Sequence, residues 1–193
     1  QRDFTAVQTG RCRTLHNQIQ FIYRREFEMG QIVKAKKILV RAPNWVGDVV
    51  MATPSFRCIR ENFKDSHITL LIKENLRGII NDSPWFDELI ELEPVRKRRT
   101  NGYTLPFVHY IKGIRNFLSL VYQLRQERFS LGIIFPNSFS SAFITWLSGT
   151  GRRVGYKRDS RSFLLTDGLE RTVDNGKFRP IYMVDYYLRL CAH

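Results

Sequence analysis

A doubly wound α/β fold on a parallel sheet is the architecture this sequence predicts, and three observations predict it. From residue 34 onward, short apolar runs of strand length alternate with longer segments of helical periodicity. The strongest run, Ile38-Leu39-Val40, is continuous, as in strands buried on both faces. Turn residues close the runs, Pro43-Asn44 after the first and Pro136-Asn137-Ser138 after a later one.

The elements follow in order. Lys37–Ala42 reads as the first strand. Asp48–Asn62 reads as a helix that opens at a carboxylate, with Phe56, Ile59 and Phe63 along it. Pro54 is foreign to a helix interior, so the helix either begins near Thr53 or is kinked there. His67–Ile72 is a second strand, Glu74–Asn81 a short helix and Glu88–Leu92 a third strand. Residues 94–106 form a basic, Gly-containing loop. Phe107–Arg128 is a long amphipathic helix, with Ile111, Ile114, Leu118, Val121 and Leu124 at helical spacing. Leu131–Phe135 is the fourth strand, Ser140–Leu147 a helix closed by Gly149, Arg153–Tyr156 a fifth strand and Ile181–Cys191 a closing helix.

Composition bounds the rest. The 193 residues are 43% hydrophobic and 25% charged, an ordinary globular balance. The formal charge of +13 favours an anionic partner: nucleic acid, an acidic membrane surface or a phosphorylated substrate. Cys12, Cys58 and Cys191 are widely spaced and read as reduced thiols; the histidines are scattered too, so no metal site is expected. No apolar run is long enough to span a membrane, and residues 1–28 lack the apolar core of a signal peptide. Residues 1–33 are expected to be a poorly ordered extension, or to lie upstream of a natural start at Met29, with the globular domain over 34–193.

Two strand-to-helix turns hold the candidate chemistry. Asn44-Trp45-Val46-Gly47-Asp48 has one glycine where a dinucleotide fingerprint needs three, so it is no pyrophosphate cradle. On spacing alone Asp48 is better read as a helix N-cap than as a general base. Asn137 and Ser138 belong to the second turn, at the same sheet edge; they serve as turn and cap residues or as donors to a polyhydroxylated substrate. Arg153, Lys157, Arg158 and Arg161 surround a strand end near both turns and suit an anion; Arg96–Arg99 is a second basic cluster.

These residues carry a resemblance. Ile38-Leu-Val-Arg-Ala-Pro-Asn-Trp-Val-Gly-Asp48, Phe135-Pro-Asn-Ser-Phe-Ser-Ser-Ala142 and Arg153-Val-Gly-Tyr156 resemble, in order and spacing, the N-terminal half of the ADP-heptose:lipopolysaccharide heptosyltransferases of glycosyltransferase family 9, the heptosyltransferase II branch above all. The resemblance covers residues from about 36 to the end of the chain. It implies a Rossmann-like domain, the acceptor-binding half of a two-domain GT-B enzyme whose donor domain is absent here. It implies inverting, metal-independent transfer of heptose from ADP-heptose to a phosphorylated or Kdo-containing lipopolysaccharide core. Asp48 falls on the family's proposed base. Asn44, Trp45, Gly47, Asn137, Ser138, Arg153, Lys157, Arg158 and Arg161 are the expected acceptor contacts. A cytoplasmic location, with peripheral contact at the inner membrane, follows from the same likeness; no cofactor and no nucleic acid are implied. The alternative is a non-catalytic basic module for anionic ligands or nucleic acid, but aromatic residues are not interleaved with the basic runs as such modules require.

Overall fold

A computed structural model of the protein describes residues 35–92, 106–170, 173–174, 177–178 and 181–192, by backbone alone at 106–112, 173–174, 177–178 and 192. Residues 1–33, the loop over 94–105 and the Arg96–Arg99 cluster lie outside the described residues.

Among the described residues, eight strands and four α-helices follow one another: β1 (Lys37–Arg41), α1 (Val46–Asn62), β2 (His67–Lys73), β3 (Glu88–Leu92), α2 (Pro106–Glu127), β4 (Leu131–Ile134), α3 (Phe139–Leu147), β5 (Arg152–Tyr156), β6 (Asp167–Leu169), β7 (Val173–Asp174), β8 (Lys177–Phe178) and α4 (Met183–Ala192). Short 3-10 helices occupy Glu74–Ile79 and Ser162–Leu164. Six strands form one sheet in the order β3-β2-β1-β4-β5-β6, and every neighbouring pair is parallel. β7 and β8 make a separate antiparallel pair.

The strand order reverses between β1 and β4, which is where doubly wound sheets open a crevice at their C-terminal edge. Ile38, Leu39 and Val40 are fully buried, and so are Ile68, Leu70, Leu71 and Ile72. That accounts for the continuous apolar runs, because helices cover both faces of such a sheet. Leu39 of β1, Leu71 of β2 and Ile90 of the edge strand β3 pack with Leu124, Phe129 and Ile144 into one core cluster. A second cluster joins Ile134 and Ala142 to Leu164 and Leu165.

Some boundaries differ from the sequence reading. α1 begins at Val46, so Asp48 is not the N-cap; Trp45 is, and its carbonyl already accepts the Val49 N–H at 3.0 Å. The helix then runs unbroken through Pro54. Proline cannot donate to the carbonyl of Val50 four residues back. The Thr53 hydroxyl donates to that oxygen instead, at 2.8 Å. α2 stops where Arg128 turns to positive φ, 53°. Gly149 closes α3 with φ 71°, a conformation glycine adopts without strain. β6 and the β7–β8 pair went unread, since strands of two or three residues carry no periodic signal.

Candidate active site

The turns after β1 and β4 bracket the switch point, and each is fixed by a buried arginine. Arg41 ends β1 at 3% exposure. Its guanidinium donates to Ala42 O at 2.6 Å, to Leu71 O at 3.3 Å and to Asn44 Oδ1 at 2.7 Å. Its Nε has no hydrogen-bond partner among the described residues. Lys73 reaches the Asn44 carbonyl at 3.5 Å. The Asn44 side chain is thus spent on the strand end, which leaves the cap position to Trp45.

Arg161 holds the second turn. It is fully buried and donates to Tyr156 O at 2.9 and 3.1 Å, to Pro136 O, to Ser138 O at 3.3 Å and to Asn137 Oδ1 at 3.4 Å. Two left-handed residues, Asp159 (φ 53°) and Ser160 (φ 55°), return the chain so that Arg161 lies beneath the β5 end. Gly155 packs close to this turn: a Cβ there would meet Leu165 Cδ2 at 3.3 Å, with Ile134 O at 3.4 Å and Arg161 Nη2 at 3.5 Å. Burial lowers the pKa of both Arg41 and Arg161 to about 10, so both stay charged at neutral pH. Their acceptors are carbonyl and carboxamide oxygens. Among the described residues neither cation has a carboxylate within ion-pair distance, although the Asp159 charge acts on Arg161 from two residues away.

Helix α4 closes the edge with two adjacent tyrosines. Tyr186 stacks on Tyr156 with ring centroids 3.9 Å apart and donates its phenol proton to Asn137 Oδ1 at 2.9 Å. Tyr187, 4% exposed, packs against Phe135 at 5.5 Å and sets its phenol beside the Asp48 carboxylate. Burial first, then the Asp48 charge, Tyr186 and the phenol's interaction with that carboxylate push the Tyr187 phenol well above its ordinary range. Asp48 itself is half-buried in the first turn of α1.

The predicted residues therefore divide. Asn44, Asp48, Asn137 and Ser138 lie together at the switch point, with Trp45 74% exposed on the rim. Gly47 faces open space, with no atom within 4 Å of a Cβ built there. Two donors occupy Asn137 Oδ1, so its amide nitrogen is the end left for a ligand. Ser138 Oγ pairs with Ser141 Oγ at 2.7 Å. Lys157 and Arg158 are exposed beyond β5, paired with Glu170 and Asp159. Arg161 is a buried clamp rather than an open anion contact. Arg153 belongs to the opposite half of β5, where it donates to Thr150 O, Gly151 O and Leu164 O. Among the described residues no group of three or more His, Cys, Asp and Glu is placed to hold a metal, and no helix is long and apolar enough to cross a membrane.

Arg41, Tyr186 and Tyr187 are the site residues the sequence reading missed. The tyrosine pair carried a weak signal. Adjacent helix positions point about 100° apart, so two neighbouring tyrosines cannot both be plain core on one stripe.

Residues 117–193 match the model of glycosyltransferase family 9 (heptosyltransferase). Lipopolysaccharide heptosyltransferase 2 of Escherichia coli is 28% identical over 154 residues, 80% of this chain and 39% of the relative. Lipooligosaccharide heptosyltransferase 2 of Haemophilus ducreyi is 29% identical over 131 residues, 68% of this chain and 34% of the relative. The solved structure of E. coli ADP-heptose LPS heptosyltransferase II aligns with a TM-score of 0.60 at 26% identity, over 80% of this chain and 40% of that one. An E. coli heptosyltransferase solved with ADP shares the fold, with a TM-score of 0.60 at 14% identity over 81% of this chain and 46% of that one. The chain spans between a third and two fifths of the length of the curated relatives it matches.

Proposed function

Because this chain is related to the heptosyltransferases of glycosyltransferase family 9 in sequence and in fold, we propose that it is the acceptor-binding half of an inverting glycosyltransferase of the lipopolysaccharide core. The donor is ADP-heptose, and the acceptor a phosphorylated or Kdo-containing core sugar. Asp48 is the base. Its carboxylate takes the proton from an acceptor hydroxyl as that oxygen attacks C1 of the heptose. The C1–O bond to the diphosphate breaks, and ADP leaves with the bonding pair.

One observation carries this reading: a half-buried carboxylate in the first turn of the helix after β1, at the switch point, with a buried phenol as its partner. A base must be held in place, and the first turn of α1 and the neighbouring Tyr187 phenol hold Asp48 there. Arg41 and Arg161 add a positive field under the two turns, which suits an acceptor rich in phosphate and carboxylate. The donor side falls to the portion of the relatives that this chain does not span. Work on such an acceptor belongs on the cytoplasmic side, at the inner face of the membrane.

Calorimetry of this chain with a deacylated, phosphorylated core oligosaccharide tests the binding half of the proposal. Saturable binding that Asn137→Ala weakens about tenfold, the loss of one good hydrogen bond, is the expected result. Absence of saccharide binding, together with tight binding to generic duplex DNA and a steep salt slope, would overturn it in favour of a basic nucleic-acid module.

A further inference from the structure

Two of the three cysteines meet outside the candidate site. Cys58 lies on α1 and Cys191 near the end of α4, and both are partly exposed. Cys191 Sγ approaches Ser55 O at 3.6 Å, one helical turn before Cys58 on α1. Asn62 Nδ2 donates to Cys58 Sγ at 3.4 Å. Ser55 and Cys58 share a face of α1, so the Cys191 sulfur lies beside Cys58, and each thiol shifts the other's proton affinity.

The two sulfurs are not equivalent. The interaction with Cys58, and then burial, push the Cys191 thiol well up. The interaction with Cys191 outweighs burial at Cys58 and draws that thiol down, with Asn62 helping. One thiol keeps its proton while the other yields its own more readily, which is how a nucleophilic and a resolving cysteine are usually paired.

We propose that Cys58 and Cys191 form a redox-active dithiol site that takes low-molecular-weight disulfides and closes to a disulfide between α1 and α4. With glutathione disulfide as oxidant, the Cys58 thiolate attacks one sulfur and forms a mixed disulfide, and one glutathione thiolate leaves. Cys191 loses its proton and attacks the Cys58 sulfur, and the second glutathione leaves. Two protein thiols are oxidised and one glutathione disulfide is reduced to two thiols. The bond would join the helix that carries Asp48 to the helix that carries Tyr187. The site stands apart from the catalytic proposal, so either can fail alone.

The test is non-reducing peptide mass mapping of the protein after incubation with glutathione disulfide. The expected product is a Cys58–Cys191 linked peptide, two hydrogens lighter than its parts and cleaved by dithiothreitol. Cys191→Ser should instead hold glutathione on Cys58, and Cys58→Ser should leave Cys191 unmodified. Linkage through Cys12, a persistent glutathione adduct on the wild-type protein, or two thiols that remain free would each overturn the proposal.

Discussion

Tyr187 of α4 meets Asp48 of α1 across the sheet edge, the phenol beside the carboxylate. The neighbouring Tyr186 does the same for the second turn through Asn137. One helix segment therefore holds both turns of the candidate site in register.

Tyr187→Phe should lower stability by about 1 kcal/mol, the usual worth of one buried polar interaction, read by urea unfolding. The alkaline behaviour follows from the raised phenol. The folded protein favours the neutral form, so this contribution is whole below the ordinary value near 10 and fades as pH rises above it. Phenolate absorbance should show one late-titrating tyrosine in the wild-type protein that Tyr187→Phe lacks. An equal count of late phenols in both proteins would contradict the assignment.

Arg161→Lys should destabilise by about 3 kcal/mol, by the cost of leaving buried carbonyls unpaired. An ammonium cannot span the acceptors on Tyr156, Pro136, Ser138 and Asn137 that the guanidinium joins. Thermal unfolding measures the loss. A variant within half a kcal/mol of wild type would mean the clamp is not needed.

Asp87 ties β2 to α1, accepting from Ile68 N at 2.7 Å and Arg60 Nη2 at 2.6 Å. Burial raises its pKa, but these bonds and the Arg60 and His67 charges outweigh it and hold the carboxyl below its ordinary 3.8. A depressed carboxyl stabilises the fold above that value and ceases to do so as pH falls below it. Asp87→Asn should therefore narrow the gap between neutral and acid stability, measured by unfolding midpoints from pH 7 down to about pH 3. An unchanged slope would assign the acid lability to other carboxylates.

The sheet was legible because buried parallel strands write themselves as unbroken apolar runs, and Ile38-Leu39-Val40 is one. β6 was not, since Asp167-Gly168-Leu169 at the sheet edge has neither an apolar run nor alternation. Arg153 and Arg161 looked alike in sequence, two cations flanking one strand. Only the fold separates an arginine at the start of β5 from one turned back beneath its end. The Asp48 turn could be read locally, but its partner Tyr187 lies in the last helix, and no local pattern links them.

The most direct measurement is the rate of heptose transfer from ADP-heptose to a lipopolysaccharide-core acceptor by the longest product of this gene, beside its Asp48→Asn variant. Loss of a general base lowers turnover by about 100- to 10,000-fold. The account predicts a fall of that size with acceptor affinity held within about threefold, because the amide keeps the shape and removes only the base. Turnover by Asp48→Asn within a factor of about ten of wild type, or no transfer by the wild-type protein, would contradict it.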